Sequence, residues 1–311
     1  MKEKILGIVG PTASGKTALA VRLAHRLDGE IVSCDSMQIY RDMRIGTARP
    51  TQEEMEGVPH HLFGFQNPAE PFSCADYVTL AAKAVSDIIA RGKTPILCGG
   101  TGLYLDALIR GGVPQEVGGD PSFRQEMNRL ADQFGNDYLH QKLKEIDEES
   151  ARQIHPNNRK RVIRALEIYH TGGKTKSELD RETQTWESPY RAGIFGIAYR
   201  DREKLYRRID LRVEKMLAEG LAEEAEQLKK QGLFEKSETA AQAIGYKELL
   251  PYLEGSVSLS EAEGEIRLAT RHYAKRQMTW FGKKEYVRWL YADEMNPEEM
   301  VETITAYWEN L

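Results

Sequence analysis

An eight-residue segment near the N-terminus constrains the fold of this chain more than any other feature. Residues 10–17 read GPTASGKT and satisfy the pattern G-x-x-x-x-G-K-[ST]. A short apolar run, residues 5–10, leads into the segment, and residues 18–27 follow it with helical periodicity. Strand, glycine turn and helix in this order place backbone amides and the positive end of a helix dipole against phosphate oxygens. The segment, which we name the phosphate loop, predicts a polyphosphate site in an α/β fold but does not say which polyphosphate binds.

Two side chains of the phosphate loop have a predicted chemical role. Lys16 supplies a mobile cation for the phosphate oxygens, and the hydroxyl of Thr17 is the predicted ligand of Mg²⁺. The backbone N–H groups of the loop, which Pro11 lacks, close around the anion. The predicted polyphosphate-binding set is Gly10, Pro11, Thr12, Ala13, Ser14, Gly15, Lys16 and Thr17.

Two more apolar runs end in candidate functional residues. The first, residues 31–34, stops at Asp35, and the second, residues 95–98, stops at two glycines. Between them, Ser73 and Asp76 form a capping-box pattern that predicts the start of a helix. Short strands that alternate with helices indicate parallel βαβ units, in which ligands bind at the carboxyl ends of the strands. We therefore expect the ends of all three predicted strands to lie at one site.

Asp35 leaves two functional interpretations open. It could hold Mg²⁺ through a bound water, as an acidic residue after a strand does in many nucleoside triphosphatases. It could also act as the base for a nucleophile that attacks near the phosphates. A helix cap or turn aspartate is the structural alternative.

A second glycine-rich segment, GGTGLY at 99–104, follows the third predicted strand and opens a helix. We name its first four residues, 99–102, the second glycine loop. Its amides and the Thr101 hydroxyl could also face an anion. A plain strand–helix connection explains the segment equally well.

The distribution of glycine, proline and charge indicates an insertion into the α/β core. The chain of 311 residues, 41% hydrophobic and 29% charged, is long enough for two globular domains. Gly- and Pro-rich residues 111–122 are followed by charged, mostly helical segments, and a strand pattern returns at 192–199. We predict a P-loop NTPase-like parallel sheet core flanked by helices, with an inserted helical domain. The predicted boundaries are 1–112 for the first part of the core, 113–192 for the insert, and 193–311 for the second part with C-terminal helices.

Binding of nucleic acid would have to rest on local basic clusters, because the net charge of the chain is −5. One cluster lies at 159–164, and the other, 267–284, contains no acidic residue and has aromatic residues between its basic ones. On a helix, Arg267, Arg271 and Lys275 lie on one face, where like charges repel unless a polyanion or an acid neutralises them. A solvated helix face is the alternative interpretation.

Metal, disulfide and membrane functions find little support in the sequence. Cys34, Cys74 and Cys98 lack the spacing of zinc sites or disulfide frameworks and are predicted to be reduced. His60 and His61 are adjacent, so their side chains point apart, and we interpret them as structural or substrate-lining. No apolar stretch approaches the roughly 18 residues of a membrane span, and no secretory cleavage pattern follows the N-terminus. We expect a cytoplasmic protein with no membrane partner.

Short strings spread over nearly the whole chain carry a family resemblance. They are GPTASGKT at 10–17, DSMQIY at 35–40, GTARP at 46–50, PHHL at 59–62, GGTGLY at 99–104, HPNNRKRVIRALE at 155–167, QAIGYKE at 242–248 and RHYAKRQMTW at 271–280. Together they closely resemble the tRNA dimethylallyltransferase family, also called tRNA isopentenyltransferases. Several of these strings are far more specific than the phosphate loop alone. Because no cysteine follows Cys98, the resemblance is to the short bacterial form, without the C-terminal zinc finger of longer members.

The resemblance implies a prenyl transfer. The exocyclic amine of the adenine beside the anticodon attacks the allylic carbon of dimethylallyl pyrophosphate, and pyrophosphate leaves. Because the lone pair of an adenine amine is delocalised into the ring, a carboxylate is needed to accept its proton, and by similarity Asp35 has that role. Negative charge grows on the leaving group, where Lys16, Mg²⁺ held by Thr17 and the loop amides would stabilise it. The implied cofactor is Mg²⁺, and the implied catalytic set is Asp35, Lys16, Thr101 and Arg212.

The resemblance also implies the partner, a tRNA held by its anticodon stem-loop, and we expect the chain to act as a monomer. The target adenine should be flipped out of the loop, and the inserted domain should bind the anticodon stem. Lys160 departs from the glutamine expected before Arg161, so a phosphate contact is expected there in place of a specific hydrogen bond. The implied tRNA-binding residues are Asp35, Ser36, Met37, Gln38, Arg159, Lys160, Arg161, Val162, Ile163, Gln242, Gly245, Tyr246, Lys275, Arg276, Gln277, Thr279 and Trp280.

Other classes of protein with a phosphate loop predict different sequence features. A small-molecule kinase, the main alternative, shares residues 10–17, the parallel sheet and Mg²⁺, but it predicts ATP turnover and gives no reason for the basic stretch 267–284. A regulatory GTP-binding protein would need an N-K-x-D motif, which the sequence lacks. A prenyltransferase that acts on free adenine nucleotides would share the chemistry but would not need the insert.

Overall fold

The chain consists of two compact units. A computed structural model describes residues 2–113 and 119–311. One unit, the core, comprises Met1–Ile109 and Pro189–Leu311, and the other, the insert, comprises Arg110–Ser188. The insert predicted at 113–192 differs from this division by a few residues at each end. Residues 114–118, in the Gly- and Pro-rich segment predicted to open the insert, lie outside the described residues.

The core is built on a sheet whose strands all run parallel. Within the described residues the strands are β1 Glu3–Val9, β2 Gly29–Ser33, β3 His60–His61, β4 Thr94–Gly99, β5 Tyr190–Ala198 and β6 Val287–Tyr291. They pair in the order β3-β2-β4-β1-β5-β6. The strands predicted at 5–10, 31–34, 95–98 and 192–199 are confirmed within one or two residues at each end, whereas β3 and β6 are not among the predictions. The predicted fold class, a P-loop NTPase-like parallel sheet flanked by helices, is confirmed.

Helices flank the sheet and make up the insert. In chain order they are α1 Lys16–Arg26, α2 Gln52–Met55, α3 Cys74–Ala90, α4 Gly102–Ile109, α5 Pro121–Phe134, α6 Asn136–Ile146, α7 Glu148–Gln153, α8 Arg159–Gly172, α9 Lys176–Gln184, α10 Arg202–Ala218, α11 Leu221–Lys230, α12 Leu233–Lys236, α13 Glu238–Ala241, α14 Tyr246–Leu253, α15 Leu259–Phe281 and α16 Pro297–Asn310. The predicted capping box is confirmed, because Ser73 and Asp76 bond reciprocally at the start of α3. Among the helices that the structure describes, none has both the length and the apolar composition needed to cross a bilayer.

Different helices cover the two faces of the sheet. In β1, Ile5 and Val9 point to one face and Leu6 and Ile8 to the other, as the twofold period of a strand requires. Helices α3 and α4 cover the first face, and α1 and α16 cover the second. Because both faces are buried, the central strands read as nearly continuous apolar runs, which is why the sequence reveals them clearly.

The insert, α5–α9, has a hydrophobic core of its own. Leu143 and Val162 are fully buried in it. The buried carboxylate of Glu167 accepts hydrogen bonds from Arg124 and Arg164. Burial alone would raise the pKa of Glu167, but these two arginines lower it, so the group remains a carboxylate. The ion pair between Arg124 and Glu167 therefore connects α5 to α8 inside the insert.

Candidate active site

The parallel pairing brings three strand ends together. β4 lies between β1 and β2, with Val9 beside Gly99 and Ser33 beside Cys98. The phosphate loop follows β1, the second glycine loop begins at the end of β4, and Asp35 follows β2. The three strand ends thus lie at one edge of the sheet, and this predicted convergence is confirmed.

The phosphate loop has a shape that requires glycine at two positions. Gly10 has a φ of 136°, and a Cβ there would lie 2.4 Å from the carbonyl oxygen of Ile197. Gly15 has a φ of 95° and is the N-cap of α1. Lys16, the first residue of that helix, donates a hydrogen bond from Nζ to the carbonyl oxygen of Pro11 at 2.7 Å. The lysine side chain therefore folds back over its own loop.

Two arginines of α10 complete the surroundings of the phosphate loop. Arg208 donates a hydrogen bond from Nε to the carbonyl oxygen of Ala13 at 2.8 Å. Arg212, one turn later on the same helix, is a predicted catalytic residue and also faces the site. No sequence-based prediction gives Arg208 a role, although its spacing of four residues from Arg212 is a usable signal. Arg208 holds the loop from outside and adds a cation to it.

Two cavities meet at Lys16, Thr17 and Arg212. The first, of about 410 Å³, is lined by Asp35 and by apolar side chains such as Met37, and we name it the Asp35 cavity. The second, of about 760 Å³, we name the cation cavity. Both volumes suit small-molecule ligands. The predicted site residues that line the Asp35 cavity are Thr12, Lys16, Thr17, Asp35, Ser36, Met37, Gln38, Arg212, Gln242, Gly245, Arg276 and Gln277.

Basic side chains dominate the cation cavity. In addition to Lys16 and the two arginines of α10, its walls include Arg44, Arg49 and Lys215. Glu54, one of its acidic residues, pairs with Lys215 at 3.2 Å. With Glu56, Glu219 and Glu224 also counted, six basic side chains face four acidic ones, and the excess of positive charge favours an anionic ligand.

Glu224 supports the wall of the cation cavity. Its carboxylate accepts hydrogen bonds from the consecutive backbone amides of residues 44–46, at 3.1, 2.9 and 3.1 Å. The hydroxyl of Tyr246 donates a further bond at 2.6 Å, and a Cβ on Gly46 would lie 2.4 Å from the tyrosine ring. The strings GTARP and QAIGYKE therefore meet through Glu224. Tyr246, which the resemblance assigns to tRNA, is fully buried, so its side chain supports this wall and is not accessible to RNA.

Asp35 is oriented by its own turn. Its Oδ1 accepts hydrogen bonds from the backbone N–H groups of Met37 and Gln38, at 2.9 and 3.3 Å. The side chain of Gln38 in turn donates from Nε2 to the carbonyl oxygens of residues 47–48, at 3.2 and 3.0 Å. Within the described residues Oδ2 makes no hydrogen bond, so this oxygen can accept a proton from a ligand in the Asp35 cavity.

The hydroxyl of Thr101 lies beside the Asp35 turn. It accepts a hydrogen bond from the backbone N–H of Ser36 at 3.0 Å and donates one to the Ser36 hydroxyl at 3.3 Å. Thr101 therefore connects the second glycine loop to the turn that presents Asp35. The anion contact expected of Thr101 stays a prediction.

Burial shifts the pKa values of the groups around the phosphate loop. It lowers the pKa of Lys16 to about 8, and the charge of Arg212 also lowers it, whereas Asp35 opposes the change. Burial likewise lowers the pKa of Arg212, against the charges of Asp35 and Glu54, although an arginine keeps its proton. Burial raises the pKa of Cys98 to about 11, so this thiol is neutral at pH 7. Lys16 is therefore the cation most sensitive to pH.

The affinity for inorganic pyrophosphate should report the protonation of Lys16. The free protein holds the lysine proton below pH 8 and releases it as the pH rises through that value. A bound polyanion stabilises the ammonium, so affinity should fall above pH 8 by up to about tenfold per pH unit. Calorimetric titrations between pH 7 and about 9.5 measure this, and Lys16→Arg, whose charge does not titrate in this range, is the control. Equal pH profiles for the two proteins would contradict the expectation.

The tRNA contacts predicted on helix α15 differ in their exposure to solvent. Lys275, Arg276 and Thr279 are exposed. Gln277 is only 5% exposed, and Trp280 is partly buried. Of the five residues, the first three are therefore accessible to RNA without a rearrangement.

Acidic residues neutralise part of the basic stretch 267–284. Arg267 pairs with Glu214 at 2.9 Å and also with Glu263. Arg271 pairs with Asp210 at 2.6 Å. The repulsion expected between these arginines is therefore relieved by acidic residues of the same chain and does not require a bound polyanion.

The predicted tRNA contacts of the insert lie on α8 and differ in exposure. Lys160 and Arg161 are exposed, and Arg159 is engaged in an ion pair within the insert. Val162 and Ile163 are buried in the hydrophobic core of the insert, so their side chains are not accessible to RNA. The contacts expected of Lys160 and Arg161 stay predictions.

The adjacent histidines have different partners. His60 lies with Nδ1 at 2.8 Å from the carbonyl oxygen of Val58 and lines the Asp35 cavity. His61 lies with Nε2 at 2.7 Å from the buried carboxylate of Glu30. Among residues 2–113 and 119–311, no group of three or more His, Cys, Asp or Glu side chains could hold a metal ion.

Known proteins match this chain over nearly its full length. The model of the family described as IPP transferase matches residues 38–285. A tRNA dimethylallyltransferase of Caldanaerobacter subterraneus subsp. tengcongensis is 45% identical over 309 residues, which cover 99% of this chain and 98% of the relative. A tRNA dimethylallyltransferase of Geobacillus thermodenitrificans is 48% identical over 310 residues, 99% of this chain and 96% of the relative.

Solved structures agree with these sequence matches. The tRNA isopentenylpyrophosphate transferase of Bacillus halodurans has a TM-score of 0.73 and 43% identity, covering 99% of this chain and 98% of that one. A eukaryotic dimethylallyltransferase solved while acting on tRNA has a TM-score of 0.83 and 30% identity, covering 99% of this chain and 80% of that one. Since the family model spans most of the chain and relatives above 40% identity span nearly all of it, the chain belongs to the IPP transferase family.

Proposed function

We propose that this chain transfers the dimethylallyl group of dimethylallyl pyrophosphate to the exocyclic amine of the adenine adjacent to the anticodon in tRNA, with release of pyrophosphate. One observation carries the proposal: the cavity of the Asp35 carboxylate meets the cavity of the phosphate-loop cations at Lys16 and Arg212. A base and a pyrophosphate site are therefore neighbours, as alkyl transfer from a pyrophosphate requires. Membership of the family and the names of the relatives support the same activity.

The transfer exchanges one bond to carbon for another. The amine nitrogen bonds to the allylic carbon as the bond between that carbon and the pyrophosphate oxygen breaks, and the oxygen keeps the electron pair. The nitrogen then carries an extra proton, which Oδ2 of Asp35 accepts. Because Met37 and Gln38 hold Oδ1, the second oxygen keeps a fixed direction during the reaction.

Cations already in place stabilise the leaving pyrophosphate. Lys16 would exchange its hydrogen bond to Pro11 for one to a phosphate oxygen. Arg208 and Arg212 add fixed positive charge beside the phosphate loop. Preorganised charges of this kind act mainly on the transition state, where negative charge on the leaving group is growing. We place the five-carbon group against the apolar side chains of the Asp35 cavity.

We propose Mg²⁺ as the cofactor, held by Thr17. The fit rests on the donor that the chain offers, since Thr17 lines both cavities beside the phosphate loop and a hydroxyl oxygen is an acceptable ligand for this ion. Mg²⁺ commonly takes its other ligands from substrate phosphates and water. When bound, it would neutralise charge on the pyrophosphate.

We propose that the target adenine enters the Asp35 cavity after leaving the stack of the anticodon loop. Flipping a base costs roughly a few kcal/mol, least in a single-stranded loop, and contacts with the protein offset this cost. Arg276 lines the cavity and is exposed, so it can contact the flipped nucleotide and its neighbours. Lys275 and Thr279 on α15, and Lys160 and Arg161 on the insert, would bind the tRNA backbone.

The proposal is tested by incubating the purified protein with unmodified tRNA and dimethylallyl pyrophosphate labelled in its alkyl group. We expect label in the RNA and one pyrophosphate released for each labelled nucleotide. Label that stays out of the RNA, together with phosphoryl transfer from ATP, would identify a kinase. Transfer to free adenine nucleotides at an equal rate would identify the other class of prenyltransferase.

Neutralising Lys275 and Arg276 together should weaken tRNA binding and its dependence on salt. Each phosphate paired with a basic residue releases counterions, so log affinity falls against log salt with a slope of about −0.7 per single-strand contact. The variant Lys275→Ala/Arg276→Ala should therefore show a shallower slope and a higher KM for tRNA. Its KM for dimethylallyl pyrophosphate should change little, because the phosphate loop is intact. Filter binding over a range of salt concentrations measures the slope.

The matched control removes two exposed positive charges elsewhere in the core. Lys83 on α3 and Lys230 on α11 are exposed and line neither cavity. The variant Lys83→Ala/Lys230→Ala should keep the wild-type slope. If the Lys275/Arg276 variant also keeps it, this face of α15 is only solvated, and RNA does not bind there.

A further inference from the structure

One face of α15 lies along the second glycine loop over three successive contacts. The pairs are Tyr273 with Thr101, Gln277 with Gly100, and Trp280 with Gly102. The spacings of four and three residues place these α15 side chains on one face of the helix. Lys275 lies on the opposite side of the helix, whereas the exposed Arg276 borders this face, with its guanidinium 5.5 Å from the centroid of the Tyr273 ring.

Gln277, at the centre of this face, bonds to both glycine-rich loops. Its Oε1 accepts a hydrogen bond from the backbone N–H of Thr12 at 2.8 Å. Its Nε2 donates to the carbonyl oxygen of Gly100 at 3.1 Å. A backbone N–H can only donate and a carbonyl oxygen can only accept, so these partners fix which end of the amide is which. Gln277 thus bridges the phosphate loop and the second glycine loop with both ends of one side chain.

The same contact explains why residue 100 is glycine. A Cβ on Gly100 would lie 2.0 Å from Nε2 of Gln277. Gly100 is not among the glycines with positive φ, so its backbone does not itself require glycine. Residue 100 must therefore be glycine because any side chain would occupy the space of the Gln277 amide.

We propose that Gln277 is a positioning residue of the pyrophosphate site, which sets the spacing between the two glycine-rich loops and does not contribute to tRNA affinity. The inference rests on the proposed function and deepens it. By holding the Thr12 N–H, Gln277 determines where the following amides of the phosphate loop point. With 5% of its surface exposed and both ends of its amide bonded inside the core, it has little left to offer an RNA ligand.

The test replaces Gln277 with leucine, which keeps the volume and removes both hydrogen bonds. The Ki for inorganic pyrophosphate, the KM for dimethylallyl pyrophosphate and the Kd for tRNA are measured. We expect the first two to rise about tenfold, because two buried bonds that shape the loop are lost, while the tRNA Kd stays within about twofold. A merely structural defect would lower the active fraction and the Tm without raising the Ki.

The matched control is Gln227→Leu. Gln227 is exposed on α11 and lines neither cavity, so this variant should keep wild-type constants. If Gln277→Leu raises the tRNA Kd and leaves the Ki for pyrophosphate unchanged, Gln277 is an RNA contact and the inference is overturned. Equal rises in both constants, or no change in either, would overturn it as well.

A second pair of variants keeps the inference testable if Gln277→Leu does not fold. Gly100→Ala alone should raise the Ki for pyrophosphate, because the new methyl group collides with the Gln277 amide. In the double variant Gly100→Ala/Gln277→Ala the collision is absent, so the Ki should be no higher than in Gln277→Ala. If the two substitutions raise the Ki for pyrophosphate additively, Gln277 does not connect the two loops through Gly100, and the inference is refuted.

Calorimetric binding of inorganic pyrophosphate separates this inference from the proposed function. If the wild-type protein transfers no label to tRNA, the proposed function fails, yet pyrophosphate affinity still reports on Gln277. If transfer occurs and the Gln277 variants bind pyrophosphate as the wild type does, only the inference fails.

Discussion

Replacing Asp35 with asparagine is expected to lower kcat by at least about a hundredfold, with the tRNA Kd and the KM for dimethylallyl pyrophosphate within about threefold of wild type. Asparagine keeps an Oδ1 that can accept the N–H bonds of Met37 and Gln38, so the turn should keep its shape. It cannot accept the proton of the attacking amine. Single-turnover transfer at saturating substrates measures the effect without interference from product release.

The Asp35 variant also separates the two interpretations of this residue. If the carboxylate held Mg²⁺ through a water, a higher Mg²⁺ concentration would restore part of the rate. If it is the base, no Mg²⁺ concentration restores it. Asp87→Asn, on the exposed side of α3, is the matched control and should behave as wild type. Comparable losses of binding and turnover would instead mean that Asp35 only maintains the local fold.

Replacing Lys16 with alanine is expected to reduce kcat/KM for dimethylallyl pyrophosphate by about a hundred- to a thousandfold. The lysine is the mobile cation of the phosphate loop, and it lies where the two cavities meet. Without it, the leaving pyrophosphate develops charge beside loop amides and arginines alone. The tRNA Kd should change little. Steady-state assays with varied dimethylallyl pyrophosphate measure the loss.

ATP provides the contrasting measurement for the phosphate loop. In the wild type, ATP should at most compete with dimethylallyl pyrophosphate for the loop and should not be turned over. Lys83→Ala, at an exposed position on α3, is the control for loss of a positive charge. A loss below tenfold for Lys16→Ala, or ATP hydrolysis as fast as prenyl transfer, would be evidence against the assigned role.

The strands that could be predicted from the sequence are those that are buried in the sheet. The buried strands β1, β2, β4 and β5 have apolar runs that stand out from the surrounding sequence. At the edges of the sheet, β3 has only two residues, and β6, VRWLY, has five, of which the second is an exposed arginine. A strand of two residues is too short to show a pattern, and periodicity alone cannot distinguish a short apolar run such as β6 from a segment of a buried helix.

In the candidate site, the residues that lie close together in sequence could be predicted, whereas contacts between distant positions could not. The phosphate loop is a contiguous string, and its role follows from chemistry within eight residues. Arg208 reaches Ala13 across 195 positions of sequence, and Gln277 reaches Thr12 across 265. Helical periodicity shows that α15 has distinct faces, but it cannot show which face meets which loop. For this reason Gln277 has the sequence signature of a residue in an RNA-binding stretch and a buried position in the fold.

On the ribosome, β1 emerges long before one of its two partners exists. β1 lies between β4 and β5, and all seven of its residues pair with β5, which is translated after the whole insert. At roughly 5–20 residues per second, that edge of β1 waits on the order of ten seconds for its neighbour. The insert, with a hydrophobic core of its own, can fold during this interval. A copy truncated before Tyr190 would retain a long unpaired apolar strand, and such a fragment would tend to aggregate or require a chaperone.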